Sequence, residues 1–467
     1  MDAMQTTGVS FGQRHFGSAD LGDRRRTRRL IRVADQLVSH PAGTFPHKIP
    51  NPYERDAFYA LMAADAVTHA AVMQPHFQLT HQRMAAHAGT VLIVHDSTIL
   101  DYSGLNIPQL GQVGEGHGRG YYGHNSLAIT SDRRVLGLAQ QILHSRRQVP
   151  AHETRRQGHD HPQRESRLWR DAVAALPPAA AGQRQVDVAD RAADLMEFLD
   201  YEQEHDRSYV VRSQHNRWVF LQVNGRQQRR KLHQLTRSLA AVCGREVKVS
   251  AQAKQPARTA WLSLAWVAVQ IVPPRQPRGD ERSVPLPVWV LRAWEEKPPP
   301  GVEPLAWILL SNVAVTDAAA ALERLDWYCR RVVIEEFHKA QKTGCDIERM
   351  QFEQAARLEP AIGLVSVVAL TLLQLRDAGR DAETAGQPAT LWVPTLWVQL
   401  LASWRYQDAQ RALTLREFLW TLARLGGHQN RPSDGAPGWQ TLWRGWTQLQ
   451  AMIQGVRLAQ SHNCGGT

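Results

Sequence analysis

The chain opens with helical periodicity. Between Ser18 and Val38, apolar Leu30, Ile31, Val33, Leu37 and Val38 recur at helical spacing, with Arg24, Arg25, Arg26, Arg28, Arg29 and Arg32 among them. This spacing predicts a helix with one apolar and one densely cationic face, opening at cap-like Ser18 and Asp20. Such a face suits phosphate contact; a merely solvated charged face has the same pattern. From Gly89 the period shortens. VLIVHD (91–96), QVDVAD (185–190) and SYVVRS (208–213) are short apolar runs of the kind that form buried strands, and the first two end in Asp96 and Asp190. HNSLAIT and VLGLAQQILH predict a strand pair around a turn at Asp132 to Arg134. The glycines at 111, 114, 116, 118, 120 and 123 match neither GxGxxG nor the Walker A spacing, and predict a mobile loop.

Residues 151 to 184 are polar and basic, a linker plus a helix. Residues 214 to 304 hold the strand-like runs VKVSAQ, WLSLAWVAVQIV and VPLPVWVLRAW, separated by basic turns and proline clusters, and predict a β-rich insertion. LAWILL (305–310) returns to the main core. After Asp317 the pattern is helical to the end, broken near Gly379, Pro388, Pro394, Gly426 and Pro432. The expected fold is therefore α/β: a helical segment at 1–85, a mixed strand-and-helix core at 86–375 carrying the insertion at about 214–304, and a helical segment at 376–467.

Composition narrows the class. In 467 residues, 43% hydrophobic content suffices for a large core, and Lys plus Arg exceed Asp plus Glu by 55 to 44, a formal charge of +11. That balance favours a polyanionic partner. Cys243, Cys329, Cys345 and Cys464 lie far apart without CxxC spacing, which suggests neither a zinc site nor a disulfide framework. The first residues lack the apolar stretch of a signal peptide, and the longest apolar run, Ala361 to Leu375, is too short to span a bilayer and reads as a buried helix. The expectation is a soluble cytoplasmic protein with no membrane partner.

Two strands delivering Asp96 and Asp190 to one sheet end could share a divalent metal, since ligands in α/β sheets commonly sit beyond the carboxyl ends of strands. An Asp at a strand end can equally accept turn hydrogen bonds. The segment WYCRRVVIEEFHKAQK (327–342) adds a third acid. At about 100° per residue, Tyr328, Arg331, Glu335 and Lys342 share an arc of roughly 60°, opposite Val333, Phe337 and Ala340. Glu336 points away from the stripe; Lys339 lies near it. A solvated helix with an Arg331–Glu335 pair fits the same spacing.

The run Y-x-x-R-x-x-x-E-x-x-x-x-x-x-K at these four positions is similar to the YREK signature of bacterial cut-and-paste DDE transposases of the insertion-sequence family numbered four, and the match extends through IEEFHKAQKTG. VHDST around Asp96 and ADRAAD around Asp190 resemble that family's two aspartate segments, with Ala192 where Glu is common. LGDRRRTRRL resembles its end-binding domain, and residues 425–450 its C-terminal segment. The resemblance implies a ribonuclease H-like core with a β-rich insertion, an N-terminal helical domain that binds transposon ends, and a C-terminal helical domain that pairs subunits.

For the site, it implies that Asp96, Asp190 and Glu335 hold two Mg²⁺ ions, replaceable by Mn²⁺, roughly 3.5–4 Å apart. Tyr328, Arg331 and Lys342 would hold backbone phosphates, and Trp307 would receive a flipped base during hairpin formation. Arg212 would line the site, and Arg24, Arg25, Arg28 and Arg29 would contact duplex DNA. The partners implied are transposon-end and target DNA and a second copy in a DNA-bound homodimer. Two readings compete: a DNA-binding protein without catalysis, and a ribonuclease H-like nuclease that cuts without strand transfer.

Overall fold

The alternating apolar pattern from Thr90 onward is taken up by one twelve-stranded mixed sheet in a computed structural model that describes residues 9–249, 258–274, 284–431 and 434–463. Cys464, Pro432 and the last three residues of VKVSAQ lie outside the described residues. The strands are β1 (Thr90–Asp101), β2 (Gly111–Val113), β3 (Gly118–Thr130), β4 (Val135–His144), β5 (Arg184–Ala189), β6 (Ser208–Arg212), β7 (Trp218–Val223), β8 (Arg226–Lys231), β9 (Cys243–Val249), β10 (Arg258–Ile271), β11 (Leu286–Glu295) and β12 (Ala306–Ser311). They run in the order β2-β3-β1-β5-β6-β12-β11-β10-β7-β8, with β4 also on β3 and β9 also on β10. β1, β5 and β6 are mutually parallel, and the other pairings are antiparallel. The strand-rich region after residue 214 thus extends the central sheet, since β12 pairs with β6 on one side and β11 on the other.

Two expectations need correction here. The glycine-rich stretch is not a free loop: β2 and β3 pair through it, Gly111 opposite Gly120. The backbones approach so closely that a Cβ on Gly120 would sit 1.9 Å from the Leu100 carbonyl oxygen. Its glycines serve strand contact. The N-terminal helix begins later than the arginine pattern suggested, running Arg24–Ser39 with Asp23 as its cap; the Asp23 carboxylate accepts the Arg25 amide at 2.8 Å. Asp20 instead accepts the Gly22 amide in the turn before it. Leu30, Val33, Ala34, Leu37 and Val38 are buried, and Arg24, Arg25, Arg28 and Arg29 are exposed.

The helices pack into a continuous core. Helix His69–Ala86 lies on β4, and Phe45, Phe58 and Tyr59 form a ring cluster with Phe352. The apolar run after Ala361 belongs to a longer helix than expected, Ala355–Ala378. Its 24 residues and composition would suffice to cross a membrane, but most of it is buried against the sheet and neighbouring helices. Cys243, Cys329 and Cys345 are free thiols.

Candidate active site

Strand register places the sequence-predicted acids. His95 of β1 stands level with Ala189 of β5, and Ala189 with Val211 of β6. The next residue on each strand is Asp96, Asp190 and Arg212, so these three form one row across three adjacent parallel strands, spaced by roughly 4.8 Å per strand. On the fourth strand, Leu309 of β12 is opposite Arg212, and Trp307 lies two residues beyond. Asp96 does not end its strand, as the apolar run suggested, because β1 continues to Asp101 on β3. What ends at His95 is the parallel pairing with β5. Asp190 directly follows Ala189, the last residue of β5, and caps the following turn, accepting the Ala192 amide at 2.8 Å. Ala192 is exposed and supplies that N–H.

Glu335 comes from a chain segment that is not one straight helix. Helix Ala318–Cys329 stops, Val332–Lys339 begins anew, and Ala340–Gly344 forms a π-helical turn. At the break, Arg331, Val333 and Ile334 donate to carbonyls three residues back. Side-chain tethers from Arg330 to the Ser131 carbonyl (3.2 Å) and from Arg331 to Asp96 hold the junction. A single 100° stripe therefore does not describe Tyr328, Arg331, Glu335 and Lys342. The apolar side is as expected: Val333, Phe337 and Ala340 are fully buried, and Glu336 turns away to Arg376 at 2.7 Å.

The side chains converge on Arg331. Its guanidinium donates to Asp96 at 3.1 Å and to Glu335 at 2.6 Å, and so links two of the three acids. Asp96 is mostly buried, and its pKa is pushed up to about 6, first by burial and then by the charge of Asp190, with Arg331 opposing. Tyr328 is buried with its hydroxyl pKa raised by burial; Arg212 and Arg331 oppose that shift. The Tyr328 ring lies 6.0 Å from that of Trp307. Arg212 also donates to the Ala306 carbonyl at 3.3 Å. Trp307, Arg191, Arg212, Arg237 and Arg292 line a cleft of about 330 Å³. Lys342 is brought elsewhere, paired with Glu348 at 3.3 Å near the Asp101 end of β1.

Carboxylate oxygens are the donors hard divalent cations prefer. Among the described residues, however, no three His, Cys, Asp or Glu side chains stand close enough to hold a metal ion. Asp96 and Glu335 have Arg331 as their shared cation. The donor chemistry fits, and closure on a metal would need Arg331 to move aside.

Several supporting residues were not picked out from the sequence. Behind the row, Asp187 accepts from Arg207 (2.8 Å) and bonds His95 (2.8 Å), whose other ring nitrogen meets Ser126 at 2.9 Å. Burial opposes the Asp187 charge, but Arg207 and His95 hold its carboxyl below the usual range. Burial pushes the neighbouring Glu202 well above that range. His338 lies 4.0 Å from Asp96 and 3.1 Å from Asn125; burial, with Lys342 and Arg331 adding to it, drives its pKa down to about 3. Asp194, fully buried, accepts from the Gln214 and His215 amides (2.7 and 2.9 Å) and from the Arg217 side chain. It thereby fixes the loop that leaves Arg212. An acid inside the apolar run VDV, and the second acid of ADRAAD, were the visible signals for Asp187 and Asp194.

Residues 9–67 match the family model for the transposase DNA-binding domain. That segment holds the helix Arg24–Ser39 and its exposed arginines. The match supports a DNA-binding transposase and, with it, DNA as a partner.

Proposed function

We propose that the protein is a DDE transposase with the YREK signature, built on a ribonuclease H-like core of β4-β3-β1-β5-β6. It would bind transposon ends, excise the element by phosphodiester hydrolysis and transesterification through a DNA hairpin, and join it to target DNA. The observation that carries this reading is the row of Asp96, Asp190 and Arg212 on adjacent strands, with Glu335 tied to Asp96 through Arg331. The reading rests also on the matched N-terminal segment.

Asp96, Asp190 and Glu335 would hold two Mg²⁺ ions, which supply an activated attacking oxygen and stabilise the leaving one. Arg331, once DNA enters, exchanges carboxylate for phosphate, which its planar fork binds equally well. Tyr328 and Arg212 would position the backbone beside the row, and Lys342 a phosphate farther along. Trp307 at the rim of the arginine-lined cleft offers a flat surface to an unstacked base, and the guanidiniums around it suit the accompanying phosphates. A DNA-bound homodimer completes the proposal.

Alanine at Asp96, Asp190 or Glu335 should lower Mg²⁺-dependent nicking of end DNA at least about a thousandfold while duplex binding persists. Wild-type nicking by any one variant removes that residue from the set. Trp307→Ala should slow hairpin formation more than first-strand nicking; equal loss of both steps would mark a packing role. The Arg331 ion pairs favour one other reading, a DNA-binding protein without cleavage. Absence of nicking by the wild type with either Mg²⁺ or Mn²⁺ would select it.

A further inference from the structure

The β7–β8 hairpin stands at the sheet edge farthest from β2. Asn224 and Gly225, both at positive φ (49° and 73°), make its two-residue turn. β8 reads RQQRRK, and Arg226, Arg229 and Arg230 are exposed with no acidic partner among the described residues. On one face Trp218, itself 41% exposed, lies under both Arg229 (4.5 Å) and Lys231 (4.6 Å). Register explains the arrangement: Lys231 is directly opposite Trp218, and Arg229 is its diagonal neighbour across the pair. An exposed indole that holds two cations in place reduces the entropy they would lose on meeting an anion.

The ribbon is also tethered to the candidate active site. Trp218 follows Arg212 by six residues, a reach of at most about 20 Å. Asp194 clamps the connecting loop through Gln214, His215 and Arg217. The helix Leu232–Arg237, which follows β8 directly, supplies His233, Thr236 and Arg237 to the arginine-lined cleft beside Trp307. Arg237 of the cleft and the basic residues of the ribbon's second strand thus come from consecutive elements, β8 and the helix that follows it.

We infer that the β7–β8 ribbon is a second DNA-contact surface, gripping the phosphate backbone of duplex DNA outside the active-site cleft. The inference rests on the proposed DNA-processing role and adds a binding surface to it. The competing explanation for a charged edge strand is protection against edge-to-edge association.

The test is the salt dependence of binding, by fluorescence anisotropy, of the full chain to a duplex of about 30 base pairs of arbitrary sequence. Each neutralised phosphate contributes about 0.9 to the slope of log K against log salt. The triple variant Arg226→Gln, Arg229→Gln, Arg230→Gln should lower that slope by about 2–3 and weaken binding at least about tenfold. The corresponding triple Lys variant should keep the wild-type slope. An unchanged slope in a Gln variant with wild-type thermal stability overturns the inference, as does new self-association with unchanged DNA binding. In either case the wild type still binds, so the proposed function stands. A wild type that fails to bind duplex at all overturns both. Should the Gln variant misfold, Arg229→Gln alone must lower the slope by about 1, and failure to do so also sinks the inference.

Discussion

The acid row at the centre of the sheet and the basic ribbon at its edge use arginine in opposite ways. At the centre, Arg207, Arg217 and Arg331 are mostly buried, and each is paired with a carboxylate, Asp187, Asp194 and Asp96 respectively. At the edge, Arg226, Arg229 and Arg230 are exposed and lack acidic partners among the described residues. A buried guanidinium needs its partner, because removing one member of the pair strands an uncompensated charge. An exposed one is solvated and adds little to folding, and remains available to an external anion. The same residue type thus organises the site in one region and presents charge outward in the other. The helix Arg24–Ser39 belongs with the ribbon in this respect: Arg24, Arg28 and Arg29 are exposed and without acidic partners among the described residues.

Centre and edge should differ most in stability. Asp194→Ala should cost about 3–5 kcal/mol in urea denaturation, because Arg217 and two backbone amides lose their buried acceptor. Arg230→Ala should stay within about 0.5 kcal/mol of wild type. Similar losses for both would erase the distinction drawn between centre and edge.

A smaller effect sharpens it. Asp96 titrates near 6 in the folded protein, above the ordinary value of about 3.9 in the unfolded chain. A carboxyl raised on folding contributes stability at low pH that is lost as pH rises through the folded value. Arg331 keeps Glu335 as a partner when Asp96 is neutralised, so without added metal Asp96→Asn should gain stability over wild type between about pH 4 and 6, and hold a plateau of about 1–3 kcal/mol at pH 8. Thermal melts across that range give the difference. A variant less stable than wild type at pH 8 would mean that the Arg331 pair outweighs the burial of Asp96.

Much of this was legible in the chain. The runs at 91–96, 185–190 and 208–213 are strands because short apolar segments bounded by polar ones have few other uses in an α/β core, and Asp96 and Asp190, which end the first two, stand in the row with Arg212, the penultimate residue of the third. The antiparallel pair around Asp132 to Arg134 and the helical tail from Asp317 follow from equally local patterns. What periodicity could not reveal was register and long-range contact. The β2–β3 pairing hides in glycines, which carry no apolar signal. The break at Arg330 and Arg331 depends partly on tethers to Ser131 and Asp96, over a hundred positions away in sequence. The β7–β8 hairpin was missed although Asn224-Gly225 after WVFLQV is a strong turn signal, because β8 is almost wholly polar. Lys342 shows the limit of helical projection: the π-helical turn carries it to Glu348 instead of the acids.

On the proposed mechanism, Asp96, Asp190 and Glu335 close on a pair of divalent cations when DNA displaces Arg331. Titration of Mn²⁺ into the DNA-bound protein, followed by electron paramagnetic resonance of the free ion, tests it most directly. Two Mn²⁺ should bind per chain in the wild type, and at least one should be lost on Asp190→Ala with DNA still bound. Equal Mn²⁺ uptake by wild type and Asp190→Ala, or none by either, would contradict it.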